Sequence, residues 1–310
     1  MRSTALRKFL AGLMAASMMT VSCACSNNNT ESSTDSSSSS AAEETTAATE
    51  EEETTAAEES SSEESETPAA EGDQSLQNIL DKGELVLGLD ASFPPMGFTD
   101  ENNEIIGFDI DVAQEVCNRM GVELVKQPIN WDTKEEDLKV GKIDCIWNGM
   151  SINPARAEAM NLSDPYMKNE MIFVVPADSE VKSMDDLEGK TVGVQTGSTA
   201  QEILEAWDKF DTITESPLEE NVTALSQMEL GFSDAVFLDS VVANYFITSN
   251  NKDYVVLDGN LEAEEYAVGF RKEDQALRDE VQKTLSEMKA DGALGEISTK
   301  WFGSDVTTVQ

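Results

Sequence analysis

Histidine is absent from this 310-residue chain. Its absence removes the commonest general base and the commonest metal ligand. Ser–His and Cys–His nucleophile pairs are excluded, as are His-containing zinc sites. Catalysis by carboxylates or lysine stays open. Positive charge is scarce: 21 Lys and Arg stand against 61 Asp and Glu, a formal net charge of -40. Such a chain is a poor partner for nucleic acid or an anionic membrane surface. Cysteine is also sparse, at 4 residues, and its spacing fits neither a metal nor a redox motif. Cys23 and Cys25 lie near the start. Cys117 and Cys145 sit in apolar surroundings, which favours buried free thiols; a disulfide between them stays possible outside the cytoplasm. No cofactor or metal is expected from these residues.

What is there begins with an address. Arg2, Arg7 and Lys8 precede an apolar run from Phe9 to Met19. The run is too short to span a bilayer comfortably, so residues 1–24 are expected to be a signal peptide. Thr20-Val21-Ser22-Cys23-Ala24-Cys25 resembles a bacterial lipobox. Ala24 favours Cys25 over Cys23 as the lipidated residue. Thr20 or Ser22 replaces the usual Leu, so cleavage without lipidation stays open. Residues 25–73 are rich in Ser, Thr, Glu and Ala, and no Lys or Arg occurs between Lys8 and Lys82. A segment with so few large apolar residues cannot offset its ordering entropy, which predicts a disordered acidic linker. Lipid on Cys25 would tether the protein to the outer face of a membrane.

Beyond residue 74, strand-like runs alternate with helical patterns. Leu85-Val86-Leu87-Gly88-Leu89 precedes a helix over Asp111–Met120. Lys142–Trp147 precedes a helix from Pro154. Met171–Val175 leads to Thr191–Val194 and a helix from Thr199 to Trp207. This order predicts an α/β fold with parallel strands and helices on both faces. About 235 residues exceed what one compact sheet usually needs, so two lobes are expected.

The chemistry concentrates in Cys145-Ile146-Trp147-Asn148-Gly149-Met150-Ser151-Ile152-Asn153-Pro154-Ala155-Arg156. It reads as a buried strand, a turn and a helix start. Ligands bind at that edge of open α/β sheets. Gly149 permits close backbone approach. Ser151 offers a hydroxyl and an N–H. Pro154 suits a first helical turn whose free N–H groups point back at the turn. Arg156 adds a fork of donors suited to a carboxylate. The plain alternative is a turn whose Arg lies on a solvated face. Trp147 reads as core.

Five further motifs follow the right order: Asp90-Ala91-Ser92-Phe93-Pro94-Pro95, Gly107-Phe108-Asp109-Ile110-Asp111, Ser163-Asp164-Pro165-Tyr166, Val192–Ala200 and Ser233–Asp239. Together they resemble the polar amino acid solute-binding proteins of ABC importers, family 3. The resemblance runs from Leu76 to Phe302. It implies a type II periplasmic-binding-protein-like fold, with two Rossmann-like lobes joined by a hinge of two crossings. Lobe one would comprise residues 74–174 and 265–310, and lobe two residues 175–264. The crossings would fall near Phe173–Pro176 and Leu261–Tyr266.

The resemblance also implies roles. Arg156 would bind the carboxylate of a free polar L-amino acid, helped by Gly149, Met150, Ser151, Ser198 and Thr199. Asp239 would bind its ammonium, unless it only caps the following helix. Asp90 would be a second acid near the ammonium or side chain, or a turn residue. Phe93 and Trp131 would sandwich the side chain, worth roughly 0.5–2 kcal/mol per ring. Asn148 and Gln195 depart from common residues and leave the preferred side chain open. The partners would be ABC permease subunits, with the protein acting as a monomer at the extracytoplasmic membrane face. The rival is a dehydratase-like enzyme on the same fold, for which Asp90 or Glu170 would have to supply the acid.

Overall fold

Two large sheets, with a small three-stranded one, organise the computed structural model, which describes residues 72–310. The expected signal peptide, Cys23, Cys25 and the linker through residue 71 lie outside the described residues. The described helices are α1 (Ser75–Lys82), α2 (Phe108–Met120), α3 (Lys134–Lys139), α4 (Pro154–Ala159), α5 (Thr199–Ala206), α6 (Asn221–Glu229), α7 (Ser240–Thr248), α8 (Gln275–Asp291) and α9 (Ala293–Phe302). None of them is long and apolar enough to cross a membrane. The described strands are β1 (Glu84–Leu89), β2 (Ser92–Phe93), β3 (Gly97–Thr99), β4 (Ile105–Ile106), β5 (Glu123–Pro128), β6 (Cys145–Ile146), β7 (Asn161–Leu162), β8 (Met167–Pro176), β9 (Thr191–Gln195), β10 (Thr214–Leu218), β11 (Ala235–Asp239), β12 (Tyr254–Val256), β13 (Glu262–Tyr266) and β14 (Gly269–Phe270).

The first sheet runs β5-β1-β6-β14-β7 and the second β10-β9-β11-β8-β12, with β13 also paired to β8. In each, the strands followed by helices pair in parallel: β1 with β5 and β6, β9 with β10 and β11. Parallel pairing puts the C-terminal ends of β1, β6, β9 and β11 at like edges. The residues just after β1 and β6, and those ending β9 and β11, are the ones the sequence marks for binding.

Hydrophobic period explains the layers. Leu85, Leu87 and Leu89 of β1 are buried together with Phe108, Val112 and Val116 of α2. The spacing i, i+4, i+8 places those three on one helical stripe. Gly121 ends α2 in the left-handed conformation, at φ 75, which glycine adopts without a Cβ penalty. In the second sheet, Phe173, Val175, Val192, Val194 and Phe237 pack with Leu204 of α5. Cys117 and Cys145 are buried free thiols.

The expected hinge needs one correction. Phe173–Pro176 is not a crossing: it lies within β8, paired to β11 and β12. Membership of the second sheet begins earlier, at Met167. There the two strands running between the sheets pair with each other, from Glu262↔Met171 to Tyr266↔Met167. Val174 and Val175 are apolar on both faces because they sit inside a sheet, and that pattern alone does not mark a boundary. Asp73, placed in the linker by its acidic context, instead accepts hydrogen bonds from the backbone of Ser75 and Ala276.

Candidate functional site

One narrow cavity, of about 10 Å³, is lined by Asp90, Phe93, Trp131, Asn148, Gly149, Ser151, Arg156, Met171, Gln195, Ser198, Thr199 and Asp239. Residues from both sheets and their connecting turns therefore converge on it. The cavity has the room of about one water, roughly 10–15 Å³, so an amino acid would enter only as the walls part.

Arg156 is brought there by α4. Asn153 caps that helix, its side chain accepting from the Arg156 N–H at 2.8 Å. The guanidinium is buried, at 4% exposure. It donates from Nη1 to the Ser151 carbonyl at 2.9 Å. It forms no ion pair among the described residues. Burial holds its pKa below the ordinary value, against the pull of Glu135, Glu202, Glu264 and Asp239. A buried cation without a carboxylate partner is costly, and an incoming anion relieves that cost. The solvated-face alternative for Arg156 does not hold.

Gly149 lies beside it at φ 58, and a Cβ there would come within 2.8 Å of the Phe93 ring. Its N–H donates to Asp109 Oδ2 at 2.7 Å. Thr199 opens α5 with Ser198 as its cap, accepting from the Gln201 N–H. The Thr199 hydroxyl and the Asn148 Nδ2 are buried with no hydrogen-bond partner among the described residues. Such orphaned groups suit a ligand that completes them.

Asp239 ends β11, 5% exposed. Tyr266 OH donates to its Oδ1 at 2.5 Å and Asn169 Nδ2 to the same oxygen at 2.8 Å. It makes no side-chain cap bond to α7. Burial raises its pKa to about 6, partly offset by the Tyr266 bond. A buried carboxylate tending toward neutrality would be drawn back to its charged form by an ammonium.

Asp90 is both a turn residue and a lining residue. It accepts from Ser92 N–H at 2.9 Å and Ser92 Oγ at 2.6 Å, and from Gln195 Nε2 at 2.7 Å. Burial raises its pKa. Phe93 and Trp131, at 5% and 7% exposure, face the cavity from the first-sheet side. Lys134 Nζ lies 5.1 Å from the Trp131 ring and donates to Gly197 O at 2.9 Å.

Eleven of the twelve ligand-binding residues expected from the sequence line this cavity; Met150 does not. Met150 packs with Ile143, Ile146 and Met160. Its neighbours Gly149 and Ser151 line the cavity; the chain bends at Gly149, φ 58, and the Met150 side chain packs away from it. Met171 lines the cavity in its place. Sequence reasoning also missed Asn169, Glu264 and Tyr266, which surround Asp239. Their signal is a strand register, Glu264↔Asn169 and Asp239↔Met171, which no local pattern gives. Trp147 is fully buried, as core.

A wider cavity of about 490 Å³ opens alongside, sharing Thr199 and lined by Trp207, Glu202, Glu262 and Glu264 among others. None of its described lining residues is basic, so it offers a carboxylate nothing. The small cavity has opposed charges and is the better candidate.

A family model described as bacterial extracellular solute-binding proteins, family 3, matches residues 85–304. The L-cystine-binding protein TcyJ of Escherichia coli (strain K12) is 29% identical over 238 residues, covering 76% of this chain and 89% of the relative. The arginine-binding extracellular protein ArtP of Bacillus subtilis (strain 168) is 30% identical over 226 residues, covering 71% and 87%. Among solved structures, an ABC uptake transporter substrate-binding protein from Streptococcus pneumoniae with bound histidine superposes with TM-score 0.74. It is 36% identical, and the match covers 76% of this chain and 99% of that one.

Proposed function

We propose that this chain, which belongs to the bacterial extracellular solute-binding proteins of family 3, captures one polar amino acid in its small cavity and delivers it to an ABC importer. The observation that carries this reading is the pairing of poles. Arg156 is a buried guanidinium without an ion pair among the described residues, and Asp239 is a buried carboxylate lining the same cavity. An amino acid presents the complementary carboxylate and ammonium on one carbon.

The side-chain end favours a cationic or donor-rich residue. Among the charged lining residues, Asp90 and Asp239 are opposed by Arg156 alone. A zwitterion answers Arg156 and Asp239 and leaves Asp90 for a guanidinium, an imidazolium or an amide. Phe93 and Trp131 would flank that group by stacking or cation–π contact. The named ligands of similar proteins, arginine, histidine and cystine, support this class.

Binding would proceed by hinge closure, with the paired β8 and β13 strands as the bending element. A ligand touching both sheets stabilises the closed form selectively, as a population shift requires. Lobe one would comprise the residues of the first sheet and its helices, and lobe two those of the second. Lipid on Cys25 would hold the protein at the outer membrane face, with permease subunits as its partners. The protein would act as a monomeric receptor rather than an enzyme.

A thermal-shift screen of the 20 common amino acids with cystine and ornithine tests the reading. A ligand at 100 times its Kd adds about 2.7 kcal/mol of stability. One or a few polar amino acids should raise the melting point. No shift with any of them would refute the assignment.

A further inference from the structure

The two poles of the cavity are joined by a residue that lines the neighbouring one. Glu264 sits on β13, directly opposite Asn169 of β8. It is buried, at 7% exposure. Its Oε2 accepts from Ser151 Oγ at 2.9 Å and from Asn169 Nδ2 at 3.4 Å. The same Asn169 Nδ2 donates to Asp239 Oδ1. Asn169 is itself oriented by Ser240, whose hydroxyl donates to its Oδ1 at 3.1 Å. A continuous chain of hydrogen bonds thus runs from Ser151 through Glu264 and Asn169 to Asp239.

A serine hydroxyl has one hydrogen and two lone pairs. At Ser151 that hydrogen points to Glu264. The Oγ lone pairs are then left as acceptors on the cavity side. Ser151 reads from sequence as a donor helping Arg156 hold an anion. The geometry gives its hydroxyl the opposite polarity, while its backbone N–H remains a donor.

We propose that Glu264 is a positioning residue that turns the Ser151 hydroxyl into an acceptor for the ligand's ammonium and so selects α-amino acids over their des-amino analogues. The proposal rests on the amino-acid reading above and deepens it. A ligand without an amino group has no hydrogen to give Ser151 and gains nothing from the arrangement. A purely structural bridge between the Ser151 turn and the β13 strand would instead affect every ligand alike.

Glu264→Leu keeps much of the bulk and removes the acceptor that holds the Ser151 hydrogen. The hydroxyl hydrogen is then free to turn toward the cavity. The test is titration calorimetry on the full chain, with analogue affinities read by competition. The probe pairs are L-arginine with 5-guanidinopentanoate, L-histidine with imidazolepropionate, and L-glutamine with 4-carbamoylbutanoate.

Glu264→Leu should lower the preference for the amino acid over its des-amino partner by about tenfold, the scale of one hydrogen bond to a charged group. Ser151→Ala should lower it similarly, and the double variant should lose little more. Ser151→Ala also serves as the readout if Glu264→Leu does not fold. An unchanged preference, or equal weakening of both members of a pair, overturns the role of Glu264 while leaving the receptor reading intact. A wild-type protein that binds none of the 20 common amino acids, cystine or ornithine overturns both.

Discussion

Gln195 Nε2 donates to Asp90 Oδ2 across 2.7 Å, joining the end of a strand in the second sheet to the residue that follows β1 in the first. Asn221 in turn holds the Gln195 Oε1 at 2.9 Å. The amide is therefore fixed, and Asp90 keeps a carboxylate turned to the cavity. If a cationic side chain reaches it, Asp90→Asn should cost about 1–3 kcal/mol of affinity for L-arginine. Affinity for L-glutamine should change far less. Titration calorimetry with both ligands checks this; equal losses would remove Asp90 from the side-chain end.

Arg156 makes the sharpest single prediction about the carboxylate pole. Arg156→Met retains an apolar stem in a buried place and removes the charge. Amino acid affinity should fall by about 2–5 kcal/mol, because a desolvated carboxylate is left unpaired. The fold should survive, since no ion pair among the described residues depends on this side chain. Circular dichroism and calorimetry together distinguish loss of binding from loss of structure.

Closure itself can be obstructed at Gly197. It adopts φ 68, and a Cβ there would lie 2.7 Å from the Asp132 backbone. Lys134 also donates to the Gly197 carbonyl. Gly197→Ala should therefore oppose approach of the two sheets and carry a local cost of about 1 kcal/mol from the left-handed backbone. Small-angle scattering should show less compaction on ligand addition than in the wild type. Compaction of the wild-type amplitude at the same ligand saturation would contradict this.

Burial raises Asp109 to about 7, Glu264 to about 7 and Asp239 to about 6, and it raises Asp90 and Asp274 as well. Their ordinary values are 3.8 or 4.5. The folded state thus holds protons that the unfolded chain releases at lower pH. Stability of the ligand-free protein should fall as pH rises from about 4 to about 7 and level off above that, by proton linkage. Asp109→Asn should flatten part of the slope. Denaturant midpoints across the interval check it, and a midpoint that climbs with pH would contradict it.

Much of the site was legible because it is local. Strand, glycine turn, proline and arginine lie within the twelve residues from Cys145 to Arg156, and the turn geometry follows from them. Asp239 was legible as the end of a buried run. Met150 does not line the cavity although its neighbours on both sides do, because the chain bends at Gly149 and a contiguous motif hides that bend. Met171, Asn169, Glu264 and Tyr266 were missed because they reach the site only through antiparallel pairing of β8 with β11 and β13. That register depends on strands more than sixty residues apart along the chain. That Phe173–Pro176 pairs within the second sheet was hidden for the same reason: an apolar run reads identically within a sheet and at its margin.

A crystal structure of the protein with its best-binding amino acid tests the opposed poles most directly. The ligand carboxylate should lie within hydrogen-bond reach of the Arg156 guanidinium, about 2.7–3.2 Å. Its ammonium should contact Asp239 and the Ser151 hydroxyl. A ligand in the wider cavity beside Trp207, or one seated with its ammonium toward Arg156, would contradict the assignment.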